Sequence, residues 1–142
     1  MREIWFRGKR IDNGEWTYGD LVTLHDGRRF IINNRHGACV DGKGNFINTE
    51  APFVCEVILS TVGQYTGLTD KNGKKIFEGD IAEKHVQGNI LVTRGVINWD
   101  QKNAGWAHQL NGMNPSLCLF VPKAWEVIGN IQDNPELLEV NK

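Results

Sequence analysis

Two segments of this chain carry the same turn motif, and this motif constrains the fold more than any other feature. Residues 10–22 read RIDNGEWTYGDLV, and residues 68–82 read LTDKNGKKIFEGDIA. Each contains an Asp, then Asn-Gly, then Gly-Asp followed by an aliphatic residue. Because a type I′ hairpin turn needs positive φ at both central residues, Asn-Gly is the strongest short-range hairpin signal. The motif predicts two related hairpins that turn at Asn13-Gly14 and Asn72-Gly73.

The rest of the chain also favours short strands. It contains 16 glycines and few segments in which apolar residues recur at helical spacing. Turns are predicted at residues 25–27 and 41–45. Residues 53–62 are the most apolar stretch and are predicted to form a central strand. In residues 90–99 both faces of the alternation are apolar, which indicates a strand covered on both sides or bent at Gly95.

One short helix is predicted near the C-terminus. Asp133 or Asn134 can cap it, Pro135 suits its first position, and Glu136 suits the positive end of its dipole. With no low-complexity linker, the 142 residues are predicted to form a single domain. We expect a mainly β fold, all-β or β-rich α+β. It is built from small twisted barrel-like hairpin units of the SH3-like kind, with sub-units at residues 1–62 and 63–142.

Composition excludes several classes of protein. The 16 basic and 17 acidic side chains leave a net charge of −1, without the strong basic footprint of a duplex-binding protein. Cys39, Cys55 and Cys118 lie far apart beside apolar neighbours, which indicates reduced, buried thiols. No apolar run is long enough to span a membrane and no secretion signal is evident, so we expect a cytoplasmic protein. The motifs GxGxxG, GxxxxGK[ST], GxSxG and HExxH are missing.

Three segments resemble the YopX family: VGQYTGLTDKNGKKIFEGDI at residues 62–81, MREIWFRGKRIDNGEWTYGDLV at the start, and WEVIGNIQDNPELL near the end. YopX proteins are small proteins encoded by bacteriophages and prophages, chiefly of Gram-positive bacteria. The resemblance covers nearly the whole chain. It implies a phage-borne protein in the cytoplasm of an infected or lysogenic host, and it brings no catalytic motif, cofactor or ligand with it.

The four aspartates of the repeated motif, Asp12, Asp20, Asp70 and Asp80, allow two interpretations. If they converge, they form an oxygen-rich site for Mg²⁺ or Ca²⁺, and a metal-dependent enzyme follows. Alternatively, Asp12 and Asp70 accept hydrogen bonds from turn backbone. Asp20 and Asp80 then follow a bulged or positive-φ glycine and bind free amides. We favour the structural interpretation and expect no metal, no cofactor and no catalytic residue.

Trp5, Arg7 and Lys9 form the candidate binding site. In an extended strand these three residues share one face. An exposed Trp between two cations can stack on a single-stranded base while the cations pair with phosphates. The alternative is a core Trp beside edge-strand charges that discourage aggregation.

Five tryptophans are a high number for 142 residues. Trp106 and Trp125 lie beside predicted turns. The favoured interpretation is that most of the tryptophans fill a barrel interior or cover its ends, and that some are partly exposed, as aromatic residues are at protein interfaces. We therefore predict a non-enzymatic protein-binding module that docks on a host or phage protein and self-associates, with no membrane partner. The first alternative is a single-stranded nucleic-acid-binding protein. The second is a metal-dependent enzyme.

Overall fold

The structure, a computed structural model, describes residues 3–33, 38–40, 43, 46–48, 54–85, 92–102, 104–110 and 124–138. These residues form twelve β-strands and two short 3-10 helices. The chain divides into two compact units, Met1–Gln64 and Tyr65–Lys142. The sequence placed this division two residues earlier, after residue 62.

The first unit is an antiparallel sheet. The strands are β1 (Phe6–Lys9), β2 (Trp16–Thr23), β3 (Arg29–Ile32), β4 (Ala38–Val40), β5 (Phe46–Asn48) and β6 (Val54–Val57), followed by a 3-10 helix (Leu59–Thr61). The strand order of the sheet is β6-β3-β2-β1, and β1 also pairs with residues 63 and 64. β4 and β5 pair with each other on either side of the predicted 41–45 turn, of which Lys43 is described.

Alternate residues of this sheet face a small core. Ile31 on β3 is fully buried, and Cys55 and Val57 on the neighbouring strand β6 are buried beside it. Gly8 on β1 comes so close to Val57 that a Cβ at this glycine would lie 3.0 Å from the Val57 Cβ. The thiol of Cys55 is buried and forms no disulfide, which confirms the prediction for that cysteine. Cys39 and Cys118 have side chains outside the described residues.

The segment 53–62 is not the central strand that its apolar character predicts. β6 lies at the end of the strand order, and Val54 is 47% exposed. On the outer side of β6 an isolated antiparallel bridge joins Arg10 to Val57, and the Ile58 N–H donates to the Lys9 carbonyl at 2.9 Å. The apolar residues of this segment are therefore divided between core and surface.

The elements of the second unit are β7 (Gly63–Thr69, which begins in the first unit), β8 (Lys75–Phe77), β9 (Asp80–His85), β10 (Val92–Asp100), β11 (Gly105–Leu110), β12 (Trp125–Asn130) and a 3-10 helix (Pro135–Leu138). They form a four-stranded antiparallel sheet in the order β11-β10-β9-β12, and a β7–β8 pair. The hydrophobic core of the unit consists of Ile76, Ala82, Ile97, Trp125 and Val127.

The mainly β prediction is confirmed, and the described strands form open sheets with no closed barrel. The predicted C-terminal helix begins at Pro135 as expected, but it is a single 3-10 turn. Gly95 lies within β10. A Cβ there would approach the Gln109 carbonyl oxygen to 3.0 Å, so close contact with β11 explains this glycine. No helix in the described part of the chain is long and apolar enough to cross a membrane.

The two Asn-Gly loops are hairpin loops, but neither is a type I′ turn. Gly14 and Gly73 have positive φ of 72° and 82°. Asn13 and Asn72 do not have positive φ, whereas a type I′ turn requires it at both positions. The prediction of the turn type is therefore wrong, although the hairpins are where the sequence placed them.

Loop length explains the difference. In the first hairpin, residues 11–14 form a four-residue loop closed by a hydrogen bond of 2.9 Å from the Arg10 N–H to the Glu15 carbonyl. In the second hairpin, residues 71–73 form a three-residue loop closed by a hydrogen bond of 2.8 Å from the Asp70 N–H to the Lys74 carbonyl. Loops of these lengths are usually built around a type I turn, and in three-residue loops a left-handed residue, here Gly73, follows it.

Candidate functional site

The Asp70 carboxylate stands at the base of the loop between β7 and β8 and is 4% exposed. Its Oδ1 accepts hydrogen bonds from the backbone N–H groups of Asn72 and Lys74, at 2.8 and 2.9 Å. Its Oδ2 accepts one from the Val127 N–H on β12, at 2.9 Å. Burial opposes the charged form, but the bonds from these three amides outweigh it and lower the pKa of Asp70. Both oxygens therefore bind the protein's own backbone.

The same loop has further contacts with β12. The Lys71 N–H donates to the Trp125 carbonyl at 3.0 Å. The Glu126 side chain accepts a hydrogen bond from Asn72 Nδ2 at 3.3 Å and lies 3.6 Å from Lys71 Nζ. Residues 70–72 thus run along the backbone of β12 and are fixed to it by main-chain and side-chain contacts.

Asp80 also binds backbone. It is 2% exposed, and its Oδ2 accepts a hydrogen bond of 2.8 Å from the Phe77 N–H. The preceding Gly79 has a φ of 89°, as the motif predicts. For Asp70 and Asp80, the structure therefore agrees with the structural interpretation of the motif.

The first copy of the motif behaves differently. Asp12 is exposed and forms a two-point ion pair with Arg10, whose hydrogen bonds lower the pKa of the Asp12 carboxyl. Asp20 is exposed on β2, opposite Ile32. Within the described residues, no group of three or more His, Cys, Asp and Glu side chains lies close enough to hold a metal ion.

The predicted face of Trp5, Arg7 and Lys9 is covered by aromatic residues of β2. The strand register pairs Arg7 with Tyr18 and Lys9 with Trp16. The Arg7 guanidinium lies 4.7 Å and the Lys9 ammonium 5.4 Å from the Trp16 ring centroid. The Trp5 ring is 5.8 Å from Tyr18, and both Trp5 and Arg7 are buried. Both cations therefore contact an aromatic ring of the protein itself.

Trp99 is the most exposed tryptophan among the described residues, at 41%. It lies directly opposite Trp106 on the β10–β11 hairpin, and their ring centroids are 5.1 Å apart in an edge-to-face arrangement. Trp106 packs against the core of the second unit, and Trp99 Nε1 donates to the Gln101 side chain at 3.2 Å. Trp106 thus links the core to the exposed ring of Trp99.

Trp125 lies in the interior, in agreement with the favoured interpretation of the tryptophans. It is 4% exposed and belongs to the core, where its ring centroid lies 4.4 Å from that of His108. Burial, with a smaller contribution from Lys84, lowers the pKa of His108 below its ordinary value. The imidazole is therefore neutral in the fold at neutral pH.

The first unit has a groove of about 240 Å³ beside its first hairpin loop. Ile11 and Val54 on this groove are 55% and 47% exposed. The lining residues are Arg10, Ile11, Asp12, Val54, Cys55 and Glu56.

Comparison with known proteins agrees with this architecture. The family profile described as YopX protein matches residues 5–139, almost the entire chain. The chain belongs to the YopX family. The crystal structure of protein EF1440 from Enterococcus faecalis is similar to this YopX-family protein in fold. The match has a TM-score of 0.63 and 23% identity, and it covers 98% of this chain and 100% of that one. None of the curated proteins matches the sequence.

Sequence reasoning missed two parts of the YopX-family surface. Trp16 and Tyr18 were available from the period-two alternation of EWTYGDLV, which places them on one face of β2. The sequence predicts a strand at Trp99 but does not predict that its ring is exposed. Its exposure follows from its place at the end of β10, which the alternation of residues 90–99 does not specify.

Proposed function

We propose that this YopX-family protein is a non-enzymatic binding module that docks on another protein through Trp99 and Trp106. The proposal rests on the edge-to-face pair of Trp99 and Trp106 on the β10–β11 hairpin, in which Trp99 is exposed. Tryptophan is enriched among the residues that contribute most to binding free energy in protein interfaces. Cross-strand pairing restrains both rings before a partner arrives, which reduces the conformational entropy lost on binding.

Two other observations support a binding role without catalysis. The buried carboxylates of Asp70 and Asp80 accept hydrogen bonds from backbone amides, so these carboxylates stabilise the fold. The imidazole of His108, whose pKa is lowered by burial, is packed in the core against Trp125. Neither environment resembles a solvent-accessible acid–base site.

Affinity capture with a matched pair of variants tests the proposal. Tagged wild-type protein, Trp99→Ala and Ile131→Ala are each used to capture proteins from induced host cells. Ile131 is 37% exposed in the same unit, so it controls for the loss of any exposed apolar side chain. We expect one host or phage protein to be recovered by wild type and by Ile131→Ala and lost with Trp99→Ala. Equal recovery by wild type and both variants would exclude the Trp99 surface as the docking site.

The alternative function is binding of single-stranded nucleic acid by the face of Arg7 and Lys9. Its support is the cluster of two cations over Trp16 on one face of the sheet. The buried Trp5 weighs against it, because stacking on a base requires an exposed ring face. Two experiments separate the two functions. The first repeats the affinity capture after nuclease treatment, and the second is a low-salt mobility shift of single-stranded nucleic acid with wild type and Lys9→Ala. Nuclease-sensitive recovery together with a shift that Lys9→Ala weakens would favour the alternative.

We further propose that the protein acts in the cytoplasm of a bacterium that carries a phage or prophage, and that it self-associates. The family supports the phage setting, because the relatives implied by the resemblance are phage and prophage proteins. The exposed Trp99 supports self-association, since a second copy can bury the same ring. Light scattering of wild type and Trp99→Ala at several concentrations tests it, and a concentration-independent monomer for the wild type would exclude it.

A further inference from the structure

The Asn-Gly pairs have a chemical reactivity that is separate from their role in turns. In such a pair the deprotonated glycine nitrogen attacks the asparagine Cγ, a C–N bond forms, the Cγ–Nδ2 bond breaks, and ammonia leaves with a proton from water. Water then opens the cyclic imide at either carbonyl to give aspartate or isoaspartate. Glycine favours the attack because it has no Cβ to obstruct it, and asparagine is accordingly a thermolabile residue.

Both described Asn-Gly pairs must leave their turn before this reaction proceeds. The Gly14 N–H donates to the Arg10 carbonyl at 2.9 Å, and the Gly73 N–H donates to the Asp70 carbonyl at 3.0 Å. In each case this hydrogen bond must break before the glycine nitrogen can lose its proton and attack. The reaction rate in the folded protein therefore depends on how readily each loop opens.

The first loop opens at little cost. Residues 11–15 are all exposed. The Asn13 side chain accepts a hydrogen bond from the Glu15 N–H at 2.9 Å and donates to the Glu15 carboxylate at 3.3 Å. These contacts come from the hairpin itself, and the bond that joins the loop to β6, from the Ile11 N–H to the Glu56 carbonyl at 3.0 Å, lies two residues before Asn13. Solvent-exposed hydrogen bonds such as those of Asn13 contribute little to local stability.

The second loop is held from outside. Asp70 binds the amides on either side of Gly73, those of Asn72 and Lys74, while its other oxygen binds Val127 on β12. Glu126, also on β12, accepts a hydrogen bond from the Asn72 side chain itself. Opening this loop breaks hydrogen bonds to a buried charged group, each of which slows opening by about tenfold.

We propose that Asn13 is a site of spontaneous deamidation and isoaspartate formation, and that the contacts with β12 protect Asn72. Conversion of Asn13 adds a negative charge beside Asp12 and Glu15 and changes the net charge of the chain from −1 to −2. The isoaspartate form also adds a methylene to the backbone of a loop that lines the groove of Ile11 and Val54. This modification site is independent of the proposed docking through Trp99.

Peptide mapping by mass spectrometry tests the inference. The folded protein is incubated in mildly alkaline buffer, and the converted fraction is followed at Asn13 and Asn72. A parallel sample in denaturant gives the unfolded rates, and the third pair in the sequence, Asn111-Gly112, serves as a reference for sample handling. We expect Asn72 to convert at least about tenfold more slowly than Asn13 in the folded protein, and the two rates to become similar in denaturant.

A variant pair identifies the source of protection. Glu126→Ala removes the side-chain contacts to Asn72 and Lys71, and Glu136→Ala removes an exposed carboxylate elsewhere in the same unit. We expect Glu126→Ala to accelerate conversion at Asn72 several-fold with Asn13 unchanged, and Glu136→Ala to alter neither. Equal rates at Asn13 and Asn72 in the folded wild type, or an unaltered Asn72 rate in Glu126→Ala, would overturn the inference.

Discussion

Asp70 accepts a hydrogen bond of 2.9 Å from the Val127 backbone N–H, although 57 residues separate them in the chain. The same carboxylate closes its own hairpin loop through Asn72 and Lys74. One buried side chain thus organises a local turn and joins it to the last strand of the sheet. Removal of this carboxylate therefore weakens both the turn and its contact with β12.

Replacement of Asp70 by alanine is expected to lower the free energy of unfolding by about 2–4 kcal/mol, because buried amides lose a charged acceptor. Urea unfolding followed by tryptophan fluorescence measures the loss. Asp12→Ala is the matched control, since Asp12 is exposed and pairs with Arg10. We expect its unfolding midpoint to be unchanged; equal effects at the two positions would contradict the distinction between the two copies of the motif.

Acid is expected to destabilise the fold in two stages. The folded pKa of His108 lies below its ordinary value of 6.5, so the unfolded state binds the proton more tightly. Its contribution to stability is full above the unfolded pKa and is lost as pH falls from there through the folded pKa. Asp70 has a folded pKa lowered from 3.8, so its contribution is lost in a second, more acidic range.

Urea unfolding at a series of pH values reveals both stages. His108→Gln is expected to remove the stage below the ordinary histidine pKa and leave the more acidic one. If His108→Gln retains the full pH dependence of the wild type in the first range, another histidine is responsible.

Gly19 is expected to tolerate no side chain. A Cβ at this position would lie 2.0 Å from the Ile32 carbonyl oxygen on the paired strand, so β2 and β3 must separate. We expect Gly19→Ala to cost more than about 3 kcal/mol of unfolding free energy. Gly27→Ala is the comparison: Gly27 has a φ of 94° with open space around it, so only backbone strain of about 1–2 kcal/mol applies. Thermal denaturation ranks the two variants, and the reverse order would contradict the close contact.

Trp99 and Trp125, two of the three tryptophans of the second unit, are expected to differ in their effect on stability. Trp125→Ala leaves a cavity in the core, which costs about 3–5 kcal/mol. Trp99→Ala removes a partly exposed ring and its contact with Trp106, for which about 0.5–1.5 kcal/mol is expected. Chemical unfolding of both variants checks the difference, and a comparable loss at Trp99 would mean that this ring serves the fold more than a partner.

The sequence predicts the strands and the positions of the hairpins because turn chemistry and period-two alternation are local properties. It does not predict the roles of the two motif aspartates. Asp12 and Asp70 both precede an Asn-Gly pair, but the role of Asp70 depends on Val127, which only the tertiary structure brings near. Likewise, Trp125 follows a predicted turn, yet the register of β12 directs it into the core beside His108.

The Trp5, Arg7 and Lys9 face shows the same limit. Alternation predicts that the three side chains project from one side of a strand, and the pairing of β1 with β2 agrees. It gives no information about the neighbouring strand, which supplies Trp16 and Tyr18 to cover the cations and the indole. Whether a side chain is exposed depends on the strand that pairs beside it, and the alternation within one strand does not specify that neighbour.

The position of Asp70 and Lys71 against β12 has a consequence for solubility. β12 is the outermost strand of its sheet, and its Val127 N–H and Trp125 carbonyl would otherwise be available to another chain. A carboxylate and one amide of a hairpin loop occupy these groups, so no foreign strand can add there. A protein that loses this loop contact is therefore expected to form fibrils or amorphous aggregates before it unfolds completely.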